Sequence, residues 1–206
     1  MLAETITVVD MVATAVFAVS GALAAAEQKL DMLGFILFGT ITGIGGGTVR
    51  DLLLGADEVF WFQQTQYLWI CLGASIATWF LAPLFNSLHR VLLWADAVGM
   101  ALFSVLGAIK AVQLDAPSIV AVGMGVMTAT FGSMIRDTLL NKEPVLLGPE
   151  IYVTAALLGA LCYTSMQAFA VPDFIALPAS IAAAFTLRAC AILFDLRLPK
   201  YGRADG

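Results

Sequence analysis

Residues 10–54 read DMVATAVFAVSGALAAAEQKLDMLGFILFGTITGIGGGTVRDLLL, and residues 96–140 read DAVGMALFSVLGAIKAVQLDAPSIVAVGMGVMTATFGSMIRDTLL. The two stretches are offset by 86 residues, and 15 of their 45 aligned positions are identical without a gap. Shared hydrophobicity explains some matched Ala and Val residues, but it does not explain two Arg-Asp pairs and two aspartates in the same register. The chain therefore contains an internal duplication.

The composition indicates a membrane protein. Of 206 residues, 61% are hydrophobic and 12% are charged, and the mean hydropathy is +0.94. A soluble domain has about 25% charged residues, so this chain has too few charged residues to cover a water-facing surface in the ordinary way. A disordered protein and a disulfide-rich secreted scaffold are excluded by the same composition. The net charge is −5 with no basic stretch before the C-terminal tail, so we expect no nucleic-acid partner.

Apolar runs separated by polar breaks predict seven membrane-spanning helices. Their approximate limits are residues 8–26, 32–54, 67–85, 92–112, 119–140, 151–170 and 174–194. We expect a single all-α transmembrane domain, with repeat 1 at about 8–86, repeat 2 at about 92–170, and a tail at 195–206. Because each repeat has three spans, the second enters the membrane from the opposite side. This predicts an inverted three-plus-three helix repeat plus a seventh helix.

The distribution of Lys and Arg predicts the orientation. Arg188, Arg197, Lys200 and Arg203 cluster near the C-terminus, which the positive-inside rule places in the cytoplasm. An odd number of spans then puts the N-terminus outside.

The second span contains Gly43 and the triplet Gly45, Gly46 and Gly47. Each glycine weakens a helix by about 1 kcal/mol, so the run favours a kink or an unwound segment whose carbonyls line a cavity. The alternative is close helix packing through small residues. The corresponding part of the fifth span keeps one glycine, Gly132, beside hydroxyl residues.

Charged residues follow these glycines within apolar spans. Arg50-Asp51 and Arg136-Asp137 occupy equivalent positions, and intramembrane charges usually face a bundle interior or water. We therefore expect them near a pathway, the alternative being helix ends from which the arginines reach the membrane surface. Asp10 and Asp96 are predicted to be either helix N-caps or pathway residues.

The sequence has no Ser-His-acid set, HExxH motif or phosphate-binding GxxxxGK[ST] motif. We therefore expect that the protein is not an enzyme, that it has no cofactor, and that it has no structural metal site.

The motifs GGGTVRD at Gly45–Asp51 and GSMIRD at Gly132–Asp137, together with DxxxTxxFAxSGA at Asp10–Ala22, resemble the trimeric intracellular cation (TRIC) channel family, specifically its small prokaryotic members. They also resemble related bacterial proteins with glycine-transporter domains. The resemblance covers about residues 8–195. This chain departs from the pattern in its second copy, which has one glycine where the first has three.

The resemblance implies a homotrimer in a prokaryotic inner membrane, surrounded by lipids, with a pore in each protomer. It implies passage of K⁺ and Na⁺, with kinks in the second and fifth helices. The pore-shaping elements would be Gly45–Gly47 with Arg50-Asp51, and Gly132-Ser133 with Arg136-Asp137. From the residues, we add nearby hydroxyls that can replace part of a cation's hydration, and these are Thr42, Thr48, Thr128 and Thr130.

Two other functions remain open. A secondary transporter of a small amino acid such as glycine would use the same broken helices. A structural or signalling membrane protein would need no continuous polar path.

Overall fold

The computed structural model describes residues 2–199, and its regular secondary structure there is helical. The α-helices are α1 Leu2–Glu27, α2 Met32–Leu53, α3 Phe60–Gln63, α4 Gln66–Leu81, α5 Leu88–Gln113, α6 Ser118–Leu139, α7 Val153–Ala168 and α8 Asp173–Leu193. Short 3₁₀ turns follow α4 at Ala82–Leu84 and precede α7 at Val145–Leu147. A helical membrane protein is thereby confirmed.

Among the described residues, six helices are long and apolar enough to cross a membrane. The predicted sixth span corresponds to α7, which has 16 residues and reaches about 24 Å at 1.5 Å per residue. Two other helices begin earlier than expected, α1 at Leu2 and α5 at Leu88.

The early starts overturn the prediction that Asp10 and Asp96 are N-caps. Each aspartate lies more than one turn inside its helix, where its backbone N–H is already part of the helical ladder. Their side chains instead bond to residues of other helices.

The inverted repeat is visible where α2 crosses α6. A Cβ atom on Gly46 would overlap the carbonyl oxygen of Thr128, and one on Gly132 would overlap the carbonyl oxygen of Thr42. These are the same contact with the repeats exchanged, since both pairs of equivalent residues differ by 86 positions. A later residue of one helix meets an earlier residue of the other, so the two helices are antiparallel.

The helix pairs within each repeat show the same correspondence. Gly21 of α1 packs against the Phe38 carbonyl of α2, and Gly107 of α5 packs against the Met124 carbonyl of α6. A pseudo-two-fold axis therefore passes through the α2–α6 crossing.

The helix α8 has no counterpart in the repeat. It packs against α7, where Gly159 approaches Ala184, and Ala176 and Leu177 belong to the main buried apolar cluster. Asp173, at its first turn, accepts hydrogen bonds from Tyr163 at 3.1 Å and from Gln167.

Candidate functional site

Arg50 and Arg136 each lie one helical turn beyond the α2–α6 crossing. Arg50 follows Gly46 by four residues, and Arg136 follows Gly132 by four. Because α2 and α6 are antiparallel, the two arginines lie on opposite sides of the crossing. We call the two sides the Arg50 end and the Arg136 end.

The first charged cluster, at the Arg50 end, consists of Asp10, Arg50, Asp51, Phe60 and Tyr67. Arg50 Nε donates to Asp51 Oδ1 at 2.7 Å, and the guanidinium carbon lies 5.6 Å from the centre of the Phe60 ring. Asp51 Oδ2 accepts from the Phe60 N–H at 2.9 Å, which ties the end of α2 to the start of α3. Tyr67 Oη donates to Asp10 Oδ2 at 2.8 Å, which joins α4 to α1.

The second charged cluster, at the Arg136 end, consists of Ser20, Asp96, Arg136, Asp137 and Tyr152. Arg136 Nε donates to Asp137 Oδ1 at 2.8 Å, as in the first cluster. Its Nη1 also donates to Asp96 Oδ1 at 2.9 Å and to Ser20 Oγ at 2.7 Å. Ser20 in turn donates to the same Asp96 oxygen at 2.9 Å, which closes a triangle between α1, α5 and α6.

The two clusters differ in their access to solvent. A cavity of about 320 Å³ reaches the first cluster and is lined by Asp10, Arg50 and Tyr67 together with Asp57, Glu58 and Lys110. In the second cluster Arg136 is 1% exposed and Tyr152 is 0% exposed. A cavity therefore reaches the charged residues at the Arg50 end, although Arg50 and Asp51 are themselves 4% and 1% exposed, whereas Tyr152 covers those at the Arg136 end.

An aromatic ring covers an equivalent position in each repeat. A Cβ atom on Gly47 would meet the Phe60 ring at 2.6 Å. At the corresponding position Ser133 Oγ lies 3.2 Å from Tyr152 Oη, which also lies 3.4 Å from the Ala129 carbonyl oxygen. Since Tyr152 is anchored by polar contacts, it closes its side more firmly than Phe60 does.

The predicted unwound segment is not found, because α2 and α6 remain helical through their glycines. A Cβ atom added to Gly45 would lie 3.6 Å from the Gly132 Cα atom. An added Cβ on Gly43 would lie 2.9 Å from Cys71 Sγ. The glycines therefore let helices approach closely, which is the packing alternative, while a bend of the helix axes stays a prediction.

The four predicted hydroxyl residues donate to carbonyls of their own helices. Thr42 bonds to Phe38 at 2.7 Å and Thr128 to Met124 at 2.6 Å, and both are fully buried. Thr48 bonds to Ile44 at 2.7 Å and also accepts from Trp61 Nε1 at 2.9 Å. Thr130 bonds to Val126 at 2.8 Å. Each of these hydroxyl oxygens can still accept a hydrogen bond or coordinate a cation. Their exposure to a pore stays a prediction.

Sequence reasoning did not identify Phe60, Tyr67 and Tyr152, and it placed Ser20 in the DxxxTxxFAxSGA motif without assigning it a role. Single Ser and Tyr residues in apolar runs have no periodicity that marks them. The near-equivalence of Tyr67 and Tyr152, 85 residues apart, is a signal that could have found the two tyrosines.

Among the described residues, no group of three or more His, Cys, Asp or Glu side chains could hold a metal ion. What the arrangement offers is oxygen acceptors and fixed charges on both sides of one helix crossing.

Comparison with known proteins gives consistent matches along the chain. The profile of a family described as "Glycine transporter" matches residues 7–83 and 93–168. A UPF0126 membrane protein of Vibrio cholerae is 36% identical over 94% of this chain and 81% of its own length. The UPF0126 inner membrane protein YadS of Escherichia coli K12 is 37% identical over 93% of this chain and 94% of its own length.

Solved structures match as well. The TRIC trimeric intracellular cation channel orthologue from Rhodobacter sphaeroides has a TM-score of 0.91 and 46% identity, covering 93% of this chain and 99% of that chain. A prokaryotic TRIC channel crystallised in 0.5 M KCl has a TM-score of 0.87 and 29% identity, covering 95% of this chain and 99% of that chain.

Proposed function

This chain belongs to the TRIC channel family, in its prokaryotic branch, and from that membership we propose that it is a cation channel conducting K⁺ and Na⁺ through a pore in each protomer. It also belongs to the family described as glycine transporter, whose profile covers both repeats. The solved relatives are named cation channels, and the chain is accordingly an integral membrane protein and not an enzyme.

One observation carries the proposal, the pair of charged clusters on opposite sides of the α2–α6 crossing. Charged side chains inside a membrane protein are costly and usually mark an ion or substrate path. Arg50 and Asp51 on one side correspond to Arg136 and Asp137 on the other, and all four are buried between helices. A route that joins the two clusters would run along the contact between α2 and α6.

The route contains the oxygen atoms that a cation needs. Hydroxyl and carbonyl oxygens can replace part of a hydration shell without binding the ion tightly. The Ser133 hydroxyl and the four threonines lie along α2 and α6, where Asp10 and Asp96 add negative charge. We assign the closed Arg136 end to a non-conducting state in which Tyr152 blocks the route.

The assembly and orientation belong to the same proposal. Relatives are named trimeric channels, so we expect a homotrimer embedded in the lipids of a prokaryotic inner membrane. The distribution of Lys and Arg favours an extracytoplasmic N-terminus, which puts the Arg136 end on the cytoplasmic side. Fusion of a reporter after residue 206 tests this orientation.

A glycine transporter is the competing function and is not favoured. The solved relatives that cover more than nine-tenths of this chain are named channels rather than carriers. A carrier would show saturable glycine uptake at a limited turnover, and the two functions therefore differ in rate.

Recording from purified protein in planar bilayers with asymmetric KCl tests the proposal. We expect unitary currents that reverse near the K⁺ equilibrium potential. Liposomes containing the same preparation provide the control, since they should not accumulate glycine. Saturable glycine uptake without unitary currents would contradict the channel and establish the carrier.

A further inference from the structure

The unpaired helix α8 contacts the segment that precedes α7. Arg188, near the end of α8, is 2% exposed. Its Nη2 donates to Glu150 Oε2 at 2.6 Å, and its guanidinium carbon lies 5.1 Å from the centre of the Tyr152 ring. Its Nη1 lies 3.4 Å from the Ile151 carbonyl oxygen. One side chain therefore contacts three consecutive residues that end at Tyr152.

The chain after α8 also contacts this segment. The Leu198 N–H donates to the Pro149 carbonyl at 2.7 Å, and Arg197 forms a β-bridge with Glu150. Residues 149–152 are thus held by α8 and by the segment that follows it.

Tyr152 is the end point of these contacts and closes the second charged cluster. Its hydroxyl contacts Ser133 and the Ala129 carbonyl of α6. Tyr152 can leave Ser133 through a shift of the backbone of residues 149–152. That movement would break the Arg188–Glu150 ion pair, the stacking of Arg188 on Tyr152, and the Leu198–Pro149 hydrogen bond.

We propose that Arg188 and the Leu198–Pro149 hydrogen bond form a clamp that holds Tyr152 over the Arg136 end and keeps it closed. The clamp residues position Tyr152 and do not line the route. The proposal rests on the proposed channel function for its physiological meaning, but the link between the clamp and Tyr152 is a structural claim that can be tested without ion flow.

The first test records single channels from variants of each clamp contact. Arg188→Gln removes the ion pair and the cation–π contact, and Leu198→Pro removes the N–H donor. Arg188→Gln is expected to raise the open probability about tenfold, the effect of losing a hydrogen bond to a charged group, and Leu198→Pro about fivefold, since the bond that it removes is between neutral groups. Unitary conductance should not change, because the clamp lies outside the route.

Matched control variants make similar substitutions but leave the contacts of the clamp in place. Leu198→Ala retains the N–H donor, and Arg90→Gln removes an exposed positive charge from the first turns of α5. Both should behave as the unaltered protein. Arg188→Lys retains a cation beside Glu150 and should restore part of the closed population. An unchanged open probability in both clamp variants overturns the proposal.

The second test measures the position of Tyr152 without ion flow. Cys71, Cys162 and Cys190 are replaced by alanine, Ser133→Cys is introduced, and its modification by a small charged methanethiosulfonate is followed in proteoliposomes. Arg188→Gln should raise the modification rate about tenfold. Ser104→Cys on α5, which is fully buried beside Gly159, should show no change.

The two tests separate the possible failures. A protein without unitary currents whose Ser133→Cys rate still depends on Arg188 contradicts the channel but retains the clamp. Equal Ser133→Cys rates with and without Arg188 overturn the clamp. A rise at Ser104→Cys as well means that Arg188 only stabilises the fold, which also overturns it.

Discussion

Arg136 Nη1 lies 2.9 Å from Asp96 Oδ1 in the closed half of the protein, whereas 86 residues earlier Asp10 accepts its hydrogen bond from Tyr67. The difference originates partly in Ser20, which bonds to both Arg136 and Asp96. The residue equivalent to Ser20 in the second repeat is Leu106, which has no hydroxyl to donate. A residue of the first repeat therefore completes the charged cluster of the second repeat, whereas the equivalent residue of the second repeat makes no such hydrogen bond in the first cluster.

Ser20→Ala should favour the open state. It removes one of two acceptors of Arg136 Nη1, and a hydrogen bond to a charged group contributes about 1.5–3 kcal/mol. We expect the open probability in planar bilayers to rise at least about tenfold. Ser104→Ala is the control, because that buried hydroxyl bonds within its own helix at 2.9 Å from the Ala101 carbonyl. Similar open probabilities in the two variants would contradict the assignment.

Asp96→Asn should destabilise the protein much more than Asp10→Asn. Asp96 and Arg136 are a buried ion pair at 3% and 1% exposure, and removing one partner of such a pair costs about 3–5 kcal/mol when the other is left unpaired; since Asp137 still pairs with Arg136, we expect a loss of about 3 kcal/mol. At position 10 an asparagine oxygen can still accept from Tyr67, so we expect a loss below about 2 kcal/mol. Thermal denaturation in detergent compares the stability of the two variants. Equal losses of free energy of unfolding would contradict the prediction that Asp96 contributes more to stability than Asp10.

Gly46→Ala and Gly132→Ala should have similar effects, because each adds a methyl group against a backbone carbonyl of the facing helix. Overpacking of this kind lowers the free energy of unfolding by about 1–3 kcal/mol. Gly73→Ala and Gly123→Ala are the controls, since an added Cβ there meets nothing within 4 Å. Denaturation of the four variants is the measurement. The packing role would be disproved if a control variant lost stability, or if Gly46→Ala and Gly132→Ala left the free energy of unfolding unchanged.

Replacing Gly46 with leucine adds a functional test at the same position. We expect ion flux to fall because a larger side chain separates α2 from α6 at the middle of the route. Flux measured at matched trimer content distinguishes this effect from loss of assembly.

Asp57→Asn with Glu58→Gln should lower the unitary conductance at low salt. Both carboxylates line the cavity at the Arg50 end, and negative charge at an entrance concentrates cations. The effect should be large at about 10 mM KCl, where the Debye length is about 30 Å, and should vanish at about 1 M, where it is about 3 Å. Glu143→Gln is the control, since it removes an exposed charge beyond the Arg136 end. A reduction that persists at high salt would contradict a purely electrostatic role.

The repeat made much of the architecture predictable from the sequence. Two Arg-Asp pairs in register indicated equivalent places in inverted halves, and the Gly46–Thr128 and Gly132–Thr42 contacts have that symmetry. The glycine run was compatible with both unwinding and close packing. Helical propensity does not decide between these, because contact with the facing helix compensates for the weak propensity of glycine.

The errors and omissions concern features that a repeat does not encode. Asp10 and Asp96 were predicted as possible caps because apolar runs begin near them, but polar residues at the membrane surface extend both helices further. Tyr152 and Arg188 lie outside the two duplicated stretches, residues 10–54 and 96–140. The helix α8 has no second copy with which it could be compared. Their contact depends on how α8 packs, which no local pattern of residues determines.

The antiparallel crossing has a consequence for the response to membrane potential. Arg50 and Arg136 have equivalent places in halves that face opposite ways, so the same local rearrangement in both would carry one positive charge toward each side. A charge that crosses the whole membrane potential gains about 2.3 kcal/mol per 100 mV; a local movement gains a fraction of this energy, and the fractions for the two arginines are opposite in sign and cancel. A net gating charge therefore arises only from movements that the halves do not share. The triangle of Ser20, Asp96 and Arg136 exists in one half alone, so its opening is one rearrangement through which voltage can act.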